Sequence, residues 1–540
     1  MGMFLNVRAP YEIYRKIVKD SYFIDKSLLL AELMPLIGSI NCYCCITRPR
    51  RFGKTIMANM IGAFFGKTGK GDNIFCNLAI SKEKGYEAHL NRHDVIYIDF
   101  SKAPKGCKSY IQYISRIEDG IIEDLIMAYP DCGIKKDESV WDAFRKIYEK
   151  TDKKFLFIMD EWDAVFHMPF ISMEDRKEYL LFLKWFLKDQ PYVEFAYMTG
   201  VLPIAKYSSG SELNMFVEYD MATSEKFSEY FGFSDREVDG LYEIYQKEAG
   251  VLKFSRGELR SWYDGYYTST GIRLYNPRSV VLALTDNQLR NYWTSSGPYD
   301  ELFYYIRHNI EDVREDLVFM VSGERVPADI GQYADVSMEI NSREQIYSAM
   351  VVYGMLTYRD GEVLIPNKEL MDKFNELLLS KDSLGYVYNL ARKSEQMLQA
   401  TIAGDTKVME AILQFAHDTE SPVLSYNSEA ELTAVVNLCY LSARNKYRVE
   451  REDRAGKGFV DFIFYPERKE GDCIILELKM DSTPAEAIAQ IKEKNYALRF
   501  KGKLGEEPRY KGRILAVGIS YSKKTKEHSC KVEALDRKDI

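Results

Sequence analysis

The sequence predicts an α/β chain in three parts: a parallel-sheet domain over residues 1–290, a helical, winged-helix-like middle module over 291–424, and a small αβββαβ domain over 425–540. Three observations lead there. Up to about residue 290, short apolar runs alternate with amphipathic helical stretches, the pattern of a parallel sheet covered by helices. At 343–374 the texture changes: "REQIYSAMVVYGMLTYRDGEVLIPNKELMDKF" reads as helix, strand, a turn at Asp360-Gly361, strand and helix. From about 425 a second alternation begins: a helix over Glu429 to Arg444, three strands, a helix over Pro484 to Leu498, and a strand over Arg513 to Tyr521.

The bulk numbers bound the answer. With 540 residues, 46% hydrophobic and 29% charged, the chain is long enough for several well-filled cores and is neither disordered nor fibrous. A formal net charge of -8 excludes coating nucleic acid by bulk charge, though not a local basic groove. Nine cysteines show no framework spacing, and Cys42, Cys44 and Cys45 crowd into an apolar run that reads as buried strand, not as a metal site. The N-terminus lacks a signal-peptide pattern, and no stretch approaches the roughly 18 apolar residues of a membrane span. These features predict a cytoplasmic protein with reduced thiols and no membrane partner.

In the first part the strand candidates are Ile40 to Thr47, Val95 to Phe100, Phe155 to Met159 and Val193 to Thr199. Each ends in polar residues, where open α/β sheets place ligands. After the first comes "TRPRRFGKT", whose Gly53-Lys54-Thr55 is the second half of a phosphate-binding P-loop. There, backbone N–H groups approach phosphate, Lys54 reaches the outer oxygens and Thr55 ligates Mg²⁺. Arg48 stands where that loop opens with glycine. About a hundred residues on, "KFLFIMDEWD" ends a strand in Asp160-Glu161, with Asp160 suited to hold Mg²⁺ and Glu161 to polarise a water. An ordinary strand ending in an acidic turn would look the same. The order of the two motifs within one α/β pattern favours a nucleotide site. Thr199, closing "EFAYMT", is the candidate sensor of a γ-phosphate.

These stretches resemble the AAA-ATPase-like family of bacterial proteins, whose loop typically reads R-P-R-R-F-G-K-[ST]. "YFIDKSLLL" (22–30), "IMDEWD" (158–163), "MTGVLPIAK" (198–206), "WYDGY" (262–266) and "LYNPRSVV" (274–281) carry the likeness, over residues 4 to about 290. The resemblance implies an ATP site built from Arg51, Phe52, Gly53, Lys54, Thr55, Asp160 and Thr199, with Glu161 catalytic. It also makes Arg48 the family's habit, leaving turnover open between binding and hydrolysis.

The C-terminal part carries different chemistry in "GFVDFIFYPERKEGDCIILELKM" (458–480). Glu477 and Lys479 project from one face of a strand, and Asp461 joins them if the two strands pair as a hairpin. Two carboxylates with a lysine are the parts needed to hold Mg²⁺ and cut a phosphodiester, with Lys479 orienting or deprotonating water. A solvated strand face would carry the same Glu-x-Lys, but "ILELK" is apolar enough that unpaired charge there is costly. The region resembles the PD-(D/E)XK nuclease superfamily, a restriction-endonuclease-like fold, through "RAGKGFVDFIF" (454–464), "IILELK" (474–479) and "AIAQIKEKNY" (487–496). The resemblance implies Asp461 and Glu477 as metal ligands, Lys479 as catalytic and Gln490 as a supporting helix residue. Glu431 is a further acid, with Glu429 competing for that place.

Together the two sites predict an ATP-binding protein, with ATP and Mg²⁺ as cofactors and Mn²⁺ an alternative metal for the nuclease. Its partner is nucleic acid, DNA ahead of RNA, in a chain that forms a homo-oligomer if a neighbour completes the ATP site. The domain pairing suggests defence against foreign DNA or mobile-element biology. The alternative is a nucleotide-dependent switch or remodelling ATPase whose nuclease-like domain only binds nucleic acid or a protein. The basic stretches "KGKLGEEPRYKGR" (501–513) and "YSKKTKEHSCK" (521–531) are candidates for a phosphate track. Neither Arg236 nor Arg278 can be assigned as an arginine finger from spacing.

Overall fold

The computed structural model describes residues 2–67, 72–204, 212–293, 310–321, 323–332, 342–380, 386–418, 429–455, 458–500 and 510–535. They form two compact units, one of Met1–Leu302 with Pro327–Leu370, the other of Phe303–Val326 with Met371–Ile540.

The first unit is built on a parallel sheet of β1 (Tyr43–Thr47), β2 (Asp94–Asp99), β3 (Phe155–Asp160), β4 (Val193–Gly200) and β5 (Val217–Tyr219), in the order β2-β3-β4-β1-β5. A parallel strand covered on both faces is apolar throughout, and every residue of β3, "FLFIMD", is buried. Its side chains alternate between two cores. Phe155, Phe157 and Met159 pack with Phe144 and Phe186 on one face, whereas Leu156 and Ile158 pack with Met60 and Phe64 on the other. The fifth strand adds to the four that the sequence predicts and lacks an apolar run, because "VEY" is three residues long and only partly buried at the sheet's edge.

After the sheet come a small antiparallel sheet (Phe233–Ser234, Arg273–Tyr275, Tyr266–Tyr267) and the helices Asp235–Glu248, Arg256–Tyr263 and Pro277–Asp286 around their own apolar cluster. The helix Arg343–Tyr353 leads to the expected hairpin, Thr357–Arg359 with Glu362–Leu364, turning at Asp360 (φ +53°) and Gly361 (φ +87°). Both φ values are positive, as an Asp-Gly hairpin turn requires.

The second unit holds a five-stranded mixed sheet: β6 (Tyr447–Ala455), β7 (Gly458–Pro466), β8 (Cys473–Met480), β9 (Ile514–Ser522) and β10 (Glu527–Leu535), paired in that order. The β8–β9 pair is parallel, joined through the helix Pro484–Glu493, and the other pairs are antiparallel. The order is therefore αβββαββ, not αβββαβ. The stretch 521–531, expected as a basic flank, closes β9, turns and opens β10. His528 and Cys530 alternate inward there between polar neighbours, a period of two that the lysines obscured.

Candidate functional site

In the first unit the chain leaves β1 at Thr47 and enters the helix Lys54–Phe65 through six residues. Arg51 (φ +73°) and Gly53 (φ +89°) are both left-handed, which folds this stretch tightly. A Cβ at Gly53 would meet open space, so backbone conformation, not crowding, requires glycine there. Arg48 turns inward and is 1% exposed. Its Nη1 donates to the carbonyls of Thr47 (2.8 Å) and Tyr219 (2.7 Å), and its guanidinium lies 5.1 Å from the Phe231 ring centre. Burial lowers its pKa to about 10, so it stays charged at neutral pH. The residue that replaces the opening glycine thus fastens the start of the loop to β5.

Lys54 Nζ donates to the carbonyls of Arg48 (2.8 Å) and Pro49 (3.0 Å), holding the loop closed beneath it. Burial pulls its pKa down to about 8, against the opposing pull of Asp163, Glu161 and Asp160. At the end of β3, Asp160 is buried and accepts a 2.5 Å bond from Thr199 Oγ1, at the end of β4, and another from the Thr55 side chain. Burial raises its pKa, and raises that of half-buried Glu161 next to it, where Asp160 adds repulsion. Thr199 also accepts from the Glu161 N–H at 3.3 Å. Asp163 instead accepts from the N–H groups of Val201 (2.9 Å) and Leu202 (2.8 Å), bracing the turn after β4.

A cavity of about 630 Å³ opens over this loop. Arg51, Phe52, Gly53, Lys54, Thr55 and Glu161 line it, so six predicted residues meet in one place. The remaining wall is largely apolar and includes Tyr22, Phe23, Ile24, Phe233 and Leu282. Lys26 closes that wall through an ion pair to Glu237 (2.6 Å) and a bond to the Glu229 carbonyl (2.7 Å). Arg278 also lines the cavity, from the first turn of the helix Pro277–Asp286, which Asn276 caps. Sequence spacing left Arg278 unassigned. The Asn-Pro start of its helix was the local signal, but only folding brings that helix over the loop. Arg236 lies in the first turn of the helix Asp235–Glu248.

In the second unit β7 and β8 pair as an antiparallel hairpin with Phe462 opposite Leu476, which sets Asp461 opposite Glu477. Asp461 Oδ2 accepts the N–H of Leu478 at 2.7 Å. Lys479 Nζ lies 3.4 Å from Glu477 Oε1, and Gln490 donates its side-chain amide to that same oxygen. Glu477 Oε2 is buried with no hydrogen-bond partner among the described residues. Burial, then the charge of Asp461, pushes the Glu477 pKa up to about 7. A buried oxygen left unpaired beside a second carboxylate is a fitting ligand set for a divalent cation. The predicted Asp461, Glu477, Lys479 and Gln490 are therefore brought together.

Gly518 positions the last of them. It stands opposite Glu477 on β9, and a Cβ there would run into the Pro484 carbonyl, so glycine lets the helix Pro484–Glu493 sit against the sheet. Tyr496 also belongs to the site, through a side-chain hydrogen bond with Gln490. In "AIAQIKEKNY" it closes the stretch, and no local signal marks it as part of the site. Glu431 lies in the helix Glu429–Cys439, and the side chain of Glu429 is outside the described residues. Of the expected phosphate track, residues 501–509 lie outside the described residues. Arg513 is committed to Asp472 at 2.6 Å and to the Ile402 carbonyl at 3.0 Å, which removes it from the track.

Residues 11–209 match the family described as Predicted AAA-ATPase, and residues 427–529 match the PD-(D/E)XK nuclease superfamily. The chain thus joins an AAA-ATPase-like P-loop domain to a PD-(D/E)XK nuclease superfamily domain. It is 23% identical over 529 residues, 93% of each chain, to an uncharacterised protein in the vnfD 5′ region of Azotobacter chroococcum mcd 1. Among solved structures it is similar to the Walker-type ATPase PABY2304 of Pyrococcus abyssi, at 12% identity and a TM-score of 0.34 over 65% of this chain and 94% of that one. It is also similar to the ORC2 protein of Aeropyrum pernix, at 11% identity and a TM-score of 0.31 over 65% of this chain and 91% of that one. Among the described residues no helix is long and apolar enough to cross a membrane.

Proposed function

We propose that this chain binds and hydrolyses ATP at the first site and uses it to control a metal-dependent nuclease at the second. The observation that carries the nuclease reading is the buried, unpaired Oε2 of Glu477, a carboxyl whose other oxygen meets Lys479 and which feels the charge of Asp461. Asp461 and Glu477 are the residues to hold Mg²⁺ or Mn²⁺, which when bound lowers the pKa of water and offsets charge on the scissile phosphate. Gln490 occupies Oε1 of Glu477, so that Oε2 is the oxygen presented. Lys479, two residues along the same face, orients the attacking water.

At the first site, Gly53 and Lys54 take the phosphates, Thr55 and Asp160 are suited to hold Mg²⁺, and Glu161 polarises water, with Thr199 fixed on Asp160 as the γ-phosphate sensor. The substrate class is nucleic acid, with DNA tested ahead of RNA. A cytoplasmic homo-oligomer acting in defence or mobile-element biology belongs to the same reading and rests on the pairing of domains.

The test is cleavage of labelled single-stranded DNA, double-stranded DNA and RNA in Mg²⁺ or Mn²⁺, with and without ATP. Cleavage lost in Lys479→Ala but kept in properly folded wild type supports the nuclease, and a changed ATP response in Lys54→Ala supports control by the first site. Nucleic-acid binding with no cleavage under either metal would move the second domain to a binding role.

A further inference from the structure

Glu369 lies in the first turn of the helix Lys368–Ser380 and is 1% exposed. Its carboxylate accepts from Ser279 Oγ (2.9 and 3.2 Å), from the N–H of Tyr292 (2.6 Å) and from the N–H of Trp293 (2.7 Å). These donors are neutral, so the acid is held by geometry and not by a counter-charge.

Two of its partners stand next to residues of the cavity wall, which Arg278 and Arg50 line. Ser279 follows Arg278, which lines the cavity, in the same helical turn. Trp293 donates its indole N–H to the Arg50 carbonyl at 3.3 Å, inside the phosphate-binding loop. Within the first unit, one buried carboxylate therefore joins the helix that carries Arg278 to the side chain that braces the loop. The loop is braced again at Phe52, whose ring meets Tyr266 edge-on at 4.9 Å. The loop-closing contacts of Lys54 are local, six residues apart at most, whereas this brace spans 243 residues in sequence.

We propose that Glu369 is a positioning residue of the nucleotide site, coupling the phosphate-binding loop to the helix of Arg278 through Trp293 and Ser279. The proposal rests on the reading that the cavity takes a nucleoside triphosphate. Nucleotide entering the cavity meets the loop on one side and Arg278 on another. Because one carboxylate fixes both, the two walls respond together and not independently.

The experiment measures affinity for a fluorescent ATP analogue, steady-state ATP turnover and melting temperature on full-length wild type, Glu369→Ala, Glu369→Gln and Trp293→Phe. Expected are roughly 5- to 150-fold weaker binding in Glu369→Ala, the usual range of a coupling between sites, and affinity within about threefold in Glu369→Gln, which keeps an acceptor oxygen. Trp293→Phe keeps the ring but loses the indole N–H, and its affinity falls between the two. Should Glu369→Ala fail to fold, Trp293→Phe decides alone. Variants that melt earlier while the folded protein binds and turns over ATP as wild type does would overturn the proposal and leave the nucleotide reading standing. Wild type that binds no nucleotide would overturn both.

Discussion

Thr199 donates its hydroxyl to Asp160 Oδ1 at 2.5 Å, tying the ends of β4 and β3 together one residue beyond the paired Met198 and Met159. The bond holds a buried carboxylate whose pKa is already raised by desolvation. Thr199→Val removes the donor while preserving shape, so ATP turnover is expected to fall about tenfold or more, with Thr199→Ser close to wild type. Equal turnover in all three proteins would show that the bond is structural only.

Glu161 stands beside Asp160 in a left-handed conformation (φ +53°) on the cavity wall. Glu161→Gln keeps its size and should bind ATP within about threefold of wild type while hydrolysing it at least 100-fold more slowly, the scale of a lost general base. Lys54→Ala should instead lose binding. Calorimetric titration with ATP separates the two, and loss of binding in Glu161→Gln would contradict the assigned role.

Cation binding to Asp461 and Glu477 should stabilise the folded protein by mass action, about 3 kcal/mol at a hundredfold excess over Kd. Glu477→Gln should melt no earlier than wild type without metal, since it removes a buried carboxylate with an unpaired oxygen. It should also lose the rise in melting temperature that Mg²⁺ or Mn²⁺ gives wild type. A metal-induced shift of the same size in the variant would place the cation elsewhere.

Gly518→Ala pushes a methyl group toward the Pro484 carbonyl and to 3.1 Å from the Ala487 Cβ. The expected cost is about 1–3 kcal/mol of stability, as for overpacking. Because the displaced helix carries Gln490, nuclease activity should fall by more than the stability loss explains. Chemical denaturation beside the cleavage assay checks this, and wild-type stability in the variant would mean that the helix yields freely.

Burial raises the carboxyl of Glu369 from 4.5 to about 7. Between those values the unfolded chain releases the proton that the folded protein keeps, so stability from this group falls as pH rises from about 4.5 to about 7. Glu369→Gln carries no such proton. Its stability relative to wild type should therefore improve across that window, by a few kcal/mol at most, since one pKa unit is about 1.36 kcal/mol. Denaturation of both proteins at pH 5 and pH 8 reads the difference, and an unchanged gap would refute the assignment.

Much of each site was legible before folding. Asp160-Glu161 and Thr199 close apolar strands and Gly53-Lys54-Thr55 opens the helix that follows β1, so each sits where a local apolar run or a short motif marks it. Asp461, Glu477 and Lys479 sit on two strands joined by a short turn, so pairing followed from proximity. Gln490 was legible only by resemblance, and its seat depends on the close approach at Gly518. The last strand was hidden because lysines mask its alternation of buried His528 and Cys530.

The sequence by itself determined two α/β domains and the chemistry each strand end offers, because apolar periodicity and glycine placement are local properties of the chain. Only the tertiary structure decided which distant groups share a site. Arg278 reaches the cavity 223 residues after Thr55, and Trp293 reaches the Arg50 carbonyl 243 residues after it. Such contacts come from packing the cores around the sheet, where no periodicity in the chain records the partner. The fate of Arg48 was decided the same way: whether an arginine in a glycine's place ruins the loop or anchors it depends on the carbonyl of Tyr219 and the ring of Phe231, which folding alone brings within reach.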